Sequence, residues 1–251
     1  MAASPLGVAA PELPENGSAR YWVQQGGVWM GYETVEWEED ADGAYRLERV
    51  RDERTRAGHH RIRRTREVSE GTIENGALRP ETYRVTTATV FQGPDEFDPE
   101  TAFDDVEEDD TARLRFTADA GAVEDGEVAV AAQALDPLAH RWQLMQDAQG
   151  AGRHERLAHP VADRRGEVEE VVFRVEGRQT VRSPGGVFRT VRLARIRPAE
   201  QRQERWYMAE GWAGLPVRTV RGGTEERTLR TSLERVRPQA ENEDDEDAEE
   251  A

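Results

Sequence analysis

The chain reads as a mainly β protein: a long curved antiparallel meander, an open or half-closed barrel, packed around one α-helix. Three observations carry this reading. Val171, Phe173 and Val175 fall on one side of an extended segment while Arg174 and Glu176 fall on the other, the period of two that a half-buried strand requires. Turn dipeptides recur at short intervals, at Gly26-Gly27, Asp42-Gly43, Ala57-Gly58 and Asn75-Gly76, and such pairs favour the primed turns of β-hairpins. A single stretch, Leu135-Asp136-Pro137, announces a helix, with Asp136 as N-cap and Pro137 at the first helical position.

Taken in order, residues 1–18 are rich in Ala, Pro, Gly and Ser without periodicity and are expected to form a mobile leader. Their apolar run is too short for a signal-peptide core, and no stretch of the chain reaches the roughly 18 apolar residues of a membrane helix. One β-rich domain is expected over 19–236. Within it Trp29, Val35 and Trp37 share a strand parity, and Gly31 between them marks a bulge or a close backbone contact. Tyr45 and Leu47 continue the pattern, and Leu114 and Phe116 mark a further strand.

The helix is expected near 137–148. Leu138, Trp142 and Met145 make one apolar stripe read as core packing against the sheet, which leaves His140 on the helix surface. After it the strand through Val171, Phe173 and Val175 is expected to turn at Gly177-Arg178, and Ser183-Pro184-Gly185-Gly186 to reverse the chain again. Strands through Phe188, Val191 and Leu193, through Trp206-Tyr207-Met208, and from Leu215-Pro216-Val217 follow. Pro198 to Gln201 separates the first two, and Gly222-Gly223 stops the last.

The formal net charge of −17 is concentrated in two runs. Asp95 to Asp110 holds ten acids and no base, and Glu241 to Glu250 holds eight acids and no base. Without those eighteen, 33 acids face 34 arginines, a nearly neutral body. The runs therefore read as appendages, an acidic insertion at 93–110 and a disordered acidic tail at 237–251. Arg46 to Arg66 carries nine Arg against three acids but no aromatic residue with which to stack bases, so it reads as solvated outer strand faces rather than a nucleic-acid surface.

Composition excludes several chemistries. With no Lys there is no Walker phosphate loop, lysine Schiff base or pyridoxal phosphate site, and with no Cys there is no thiol nucleophile, thiolate metal site or disulfide. His154 and His159 are five residues apart, which on a helix turns the second about 140° from the first and on a strand puts them on opposite faces, so no zinc-protease pair forms. His59-His60 likewise points two ways. None of the five Ser sits in a Gly-x-Ser-x-Gly elbow. No catalytic residue, metal or cofactor is expected.

Five segments in order resemble the bacterial family filed as domain of unknown function 3108. They are Gly27-Val28-Trp29-Met30-Gly31; Ser69-Glu70-Gly71 with Leu78-Arg79-Pro80-Glu81-Thr82-Tyr83; Leu135-Asp136-Pro137-Leu138; Pro184-Gly185-Gly186-Val187-Phe188-Arg189-Thr190; and Trp206 followed by Leu215-Pro216-Val217-Arg218. The resemblance spans roughly Ala19 to Val236 and implies a curved, β-rich exported protein of the cell envelope or periplasm with no assigned reaction. Trp206 and Leu215-Pro216 are also similar to the periplasmic lipoprotein carriers, whose half-open barrels cover an apolar cavity. The acidic insertion and tail depart from the family picture.

The expected function is non-enzymatic binding of a lipid or other hydrophobic ligand, or of an envelope protein partner, on a curved sheet. The alternative is a hydrolase-like enzyme with a site scattered over acids and His. Trp29, Trp37, Trp142, Phe173, Phe188 and Trp206 are the candidate lining of the concave face, as ligand contacts or as core. Deleting residues 238–251 should leave stability within about 0.5 kcal/mol, as for other surface changes; a large loss of melting temperature would show that the tail docks.

Overall fold

The computed structural model describes residues 16–54, 61–91, 106–118, 124, 126–196, 203–222 and 228–238. The leader up to residue 15, the turns at Ala57-Gly58 and Pro198 to Gln201, His59-His60, most of the acidic insertion and the tail from 239 lie outside the described residues.

The first half of the chain supplies β1 (Gly17–Gln25), β2 (Val28–Glu39), β3 (Ala44–Arg54), β4 (Arg61–Glu74), β5 (Ala77–Phe91), β6 (Asp109–Thr117) and β7 (Val128–Ala131). Helix α1 (Pro137–Gly150) follows. The second half supplies β8 (Arg156–Ala162), β9 (Val168–Ser183), β10 (Gly186–Ile196), β11 (Gln203–Ala209), β12 (Pro216–Gly222) and β13 (Leu229–Pro238). All thirteen strands form one sheet in the order β7-β6-β5-β4-β3-β2-β1-β13-β12-β11-β10-β9-β8. Neighbours are antiparallel except β6 and β7, which run parallel. Two meanders are thus joined through β1 and β13, and the sheet rolls into a nearly closed barrel with an unsealed seam between β7 and β8.

Helix α1 bridges that seam. Leu135, just before it, donates its N–H to Pro160 O at 2.8 Å and accepts from Ala162 N at 2.8 Å, so the helix entrance is fastened to β8. Asp136 caps the helix as its sequence requires, accepting from Leu138 N at 2.8 Å and Ala139 N at 2.9 Å. Gln143 accepts from Leu78 N on β5 and Gln149 donates to Ala209 O on β11, both at 3.0 Å, so the helix is tied to both meanders.

Because walls stand on several sides of it, the buried residues of α1 are Leu138, Ala139, His140, Arg141, Leu144, Met145 and Ala148, more than one stripe. His140 is buried, contrary to its expected place on the helix surface. Trp142 is half-buried and meets Trp37 at 5.5 Å between ring centroids.

Other expectations give way to pairing. No turn forms at Gly177-Arg178: β9 runs through it, and a register shift against β10 absorbs the extra residue, with Gly177 opposite Arg192 and Val175 opposite Leu193. Asp109 and Asp110 are the first residues of β6 rather than part of an appendage, and Asp110 pairs with Arg84 at 2.5 Å. The basic stretch is not all outer face either, since Arg49 and Arg51 turn into the barrel.

At several places the chain passes so close that only glycine fits, Gly31 and Gly214 among them. A Cβ on Gly31 would lie 1.9 Å from Asp52 O on the neighbouring β3, and one on Gly214, in the short 3-10 turn Trp212–Gly214, would lie 2.3 Å from Met145 O on the helix. The Gly31→Ala variant should lose at least about 2 kcal/mol in urea unfolding, because the backbone atom it meets cannot rotate away. A midpoint equal to wild type would show that β2 and β3 separate without cost.

Candidate functional site

The inward faces of the strands change character along the barrel. On β2 the inward series runs Trp37, Val35, Glu33; on β3 it runs Tyr45, Leu47, Arg49, Arg51. On β10 Leu193 gives way to Arg195, on β11 Trp206 to Glu204, and on β12 Thr219 to Arg221. An apolar layer therefore fills one end, and a charged layer surrounds the first turn of α1 at the other.

Glu33 is 1% exposed and accepts from Arg141 Nη1 at 2.6 Å and from Arg51 Nε at 3.0 Å, with Arg49 Nη1 at 3.8 Å. Burial alone would raise its pKa, but Arg51, Arg141 and Arg49 overcome this and hold it well below the usual carboxylate range. Glu67 on β4 is buried in the same way between Arg49 and Arg164, each at 2.6 Å, and is also held ionised. On the opposite wall Glu204 accepts from Trp206 Nε1 at 2.9 Å, Arg221 Nε at 2.8 Å and Arg195 Nη1 at 3.3 Å; its pKa falls despite burial, through Arg221, Trp206 and Arg195.

Two buried groups are pushed the other way. Asp136 rises to about 6 through burial, although its bonds from Ser69 Oγ at 2.7 Å and from the helix N–H groups oppose the shift. His140 falls to about 3, first through burial and then through His159 and Arg195, so it is neutral throughout the physiological range. Its Nε2 has no hydrogen-bond partner. His159, 5.3 Å away ring to ring, is bound instead to Asp147 at 2.7 Å.

These residues surround a mouth of two neighbouring spaces that share Pro137, Trp206 and Arg221 in their walls. The larger, 250 Å³, is lined by Phe173, Val161, Val171, His140, Arg195 and Glu204 among others. The smaller, 80 Å³, lies between Glu33, Arg49, Arg51, Arg141 and Leu138. A larger groove of 470 Å³ on the β4–β6 side, as open as the mouth, is lined mainly by ion-paired Arg and Glu with Thr82 and Thr86. Among the described residues no group of three metal-ligating side chains occurs.

Of the six residues singled out from sequence, Phe173 and Trp206 come together in the mouth, 5.7 Å apart edge to face. Trp37 is packed in the core and Trp142 and Phe188 lean against it. Trp29 is half-buried beside Tyr32 and Arg54, away from the mouth. Sequence reasoning missed His140, Glu204, Arg195, Arg221, Glu33 and Arg141. The parity rule that found Val35 and Leu193 would have reached Glu33 and Arg195 had it been run two residues further.

Helix α1 held inside a nearly closed barrel, with a small charged mouth at its N-terminal end, defines a β-barrel-like architecture. No family model matches the chain, and no curated protein matches it. Among solved structures it is similar to a β-barrel-like protein of domain of unknown function DUF1849 from Brucella abortus, at 10% identity and a TM-score of 0.56, covering 92% of this chain and 99% of that one. This shows the fold. A protein described as a lipoprotein from Parabacteroides distasonis (9% identity, TM-score 0.31, covering 90% of this chain and 97% of that one) carries no argument at that score. Nor does an exported protein with a YmcC-like fold from Bacteroides fragilis (11%, 0.35, covering 91% and 100%). No described helix is long and apolar enough to cross a membrane.

The His140 shift has a measurable sign. Its folded-state pKa lies below the unfolded value, so the stability it brings is full above about 6.5 and is lost as pH falls toward 3. The His140→Gln variant should therefore lose about 2 kcal/mol less than wild type between pH 8 and pH 5 in urea unfolding. Parallel curves would mean that His140 takes up a proton inside the fold. Asp136 acts in the opposite sense, favouring the folded state as pH falls through 6, and partly masks His140 in the wild type.

Proposed function

We propose that this chain is a non-enzymatic binding protein of the bacterial envelope that holds a small, partly apolar ligand in the barrel mouth. The observation that carries the reading is the 250 Å³ space in which Phe173, Trp206, Val161, Val171 and the buried His140 meet the charged layer. An apolar wall with a few convergent polar groups is the usual chemistry of a ligand site. At about 30 Å³ per water-sized unit the space suits a ligand of about ten non-hydrogen atoms, not a full lipid. The envelope location rests on the five segments that resemble domain of unknown function 3108.

The hydrolase alternative finds less support. His140 is too weak a base at neutral pH, and Glu204 is held ionised by Arg221 and Arg195, so the mouth lacks an acid and base poised near neutrality.

Trp206 in the wall provides the readout. Titration with 1-octanol or octanoate should quench its fluorescence saturably with Kd about 0.1 mM, since ten atoms at about 0.5 kcal/mol each give about 5 kcal/mol. Val171→Trp, which fills the space, should abolish the response. No saturation by either probe up to about 1 mM, by fluorescence and by calorimetry, would overturn the reading.

A further inference from the structure

We infer that the 80 Å³ end of the mouth is an oxyanion cradle, and that the ligand enters it with a terminal carboxylate or phosphate. The inference deepens the proposed binding function and rests on it. Arg49, Arg51, Arg141 and Arg221 line this space, and the single carboxylate among the lining residues is Glu33. Glu67 and Glu204 stand close behind, but each is shared with another arginine, Arg164 and Arg195 respectively. Positive charge remains in excess where water is scarce.

The donors point to an occupant as well. Arg141 is more than nine-tenths buried, and its Nη2 has no hydrogen-bond partner; the same is true of Nε of Arg49. Both atoms are themselves closed off from the space, so an oxyanion there would meet the guanidinium edges that line it, whose planar forks suit charge-assisted bonds. The N-terminus of α1 adds little, since Asp136 already accepts from Leu138 N and Ala139 N.

The geometry also sets an orientation. Trp206 and Pro137 border both spaces, which sets the cradle beside the apolar wall along which the ligand's chain would lie. Arg141 Cζ lies 5.8 Å and Arg221 Cζ 5.5 Å from the Trp206 ring, which places the two cations at the junction.

Calorimetry on the full chain with octanoate, octyl phosphate, 1-octanol and inorganic phosphate tests this. The two acids should bind at least about tenfold more tightly than the alcohol, and the margin should shrink as salt rises. Arg221→Gln, at a half-exposed side chain and checked for native circular dichroism, should bring the ratio of acid to 1-octanol affinity close to one. Arg51→Gln, checked for native circular dichroism, should act likewise. Inorganic phosphate binding as tightly as octyl phosphate would support the cradle and assign it to a free anion. Equal binding of acids and alcohol, or acid binding unaffected by both substitutions, would overturn the cradle while leaving the mouth as a binding site. Failure of every probe would overturn the mouth itself.

Discussion

A carboxylate cannot remain ionised inside a barrel without cations around it, and the ion pair between Glu33 and Arg141 is where this constraint shapes the fold. It joins the wall of β2 to the first turns of α1 across the interior, with Arg51 and Arg49 completing the shell. Removing one partner of a buried pair costs about 3 to 5 kcal/mol, more than most single contacts in a domain. The pair contributes placement more than stability, because an apolar substitute for both partners can be as stable. With Asp136 as cap and Leu135 fastened to β8, it leaves the helix one depth and one rotation inside the barrel.

That placement divides the interior in two. Trp37, Leu47, Leu78 and Leu144 pack together at one end. At the other end the side chains are charged, are too long to close-pack and leave gaps between them. A cavity forms at this boundary because guanidinium and carboxylate groups need directional partners, while Phe173 and Trp206 offer only surface. The mouth is thus a product of the same layering that holds the helix.

Much of the architecture was legible in the sequence. Alternation over Val171, Phe173 and Val175, positive-φ turn residues such as Asn75 and Gly76, and the Asp136-Pro137 start signal are local features, and local physics decides them. Gly31 was legible as a close contact for the same reason. The turn expected at Gly177 was not, because a bulge and a turn share the same residue preferences and only the partner strand chooses between them. The site was harder to read. His140 looks like a surface position until walls stand on both sides of the helix, and Arg49 and Arg51 look solvated until Glu33 and Glu67 arrive from other strands. Charged residues on an inward parity carry no meaning until their counterions are placed, and that is tertiary information.

The pairing of β1 with β13 sets Gly17 opposite Pro238, so the first and last strands lie side by side at the centre of the sheet order. Every other pair of neighbouring strands, the parallel pair included, joins successive strands, and each meander can zip up locally. The central ladder cannot begin until β13 has been made. During synthesis the first meander therefore waits with β1 as an unpaired edge, and folding must close the longest loop in the chain before the barrel can curl. The slow, aggregation-exposed step of this protein is thus the meeting of its two ends, on the far side of the sheet from the seam that the helix covers.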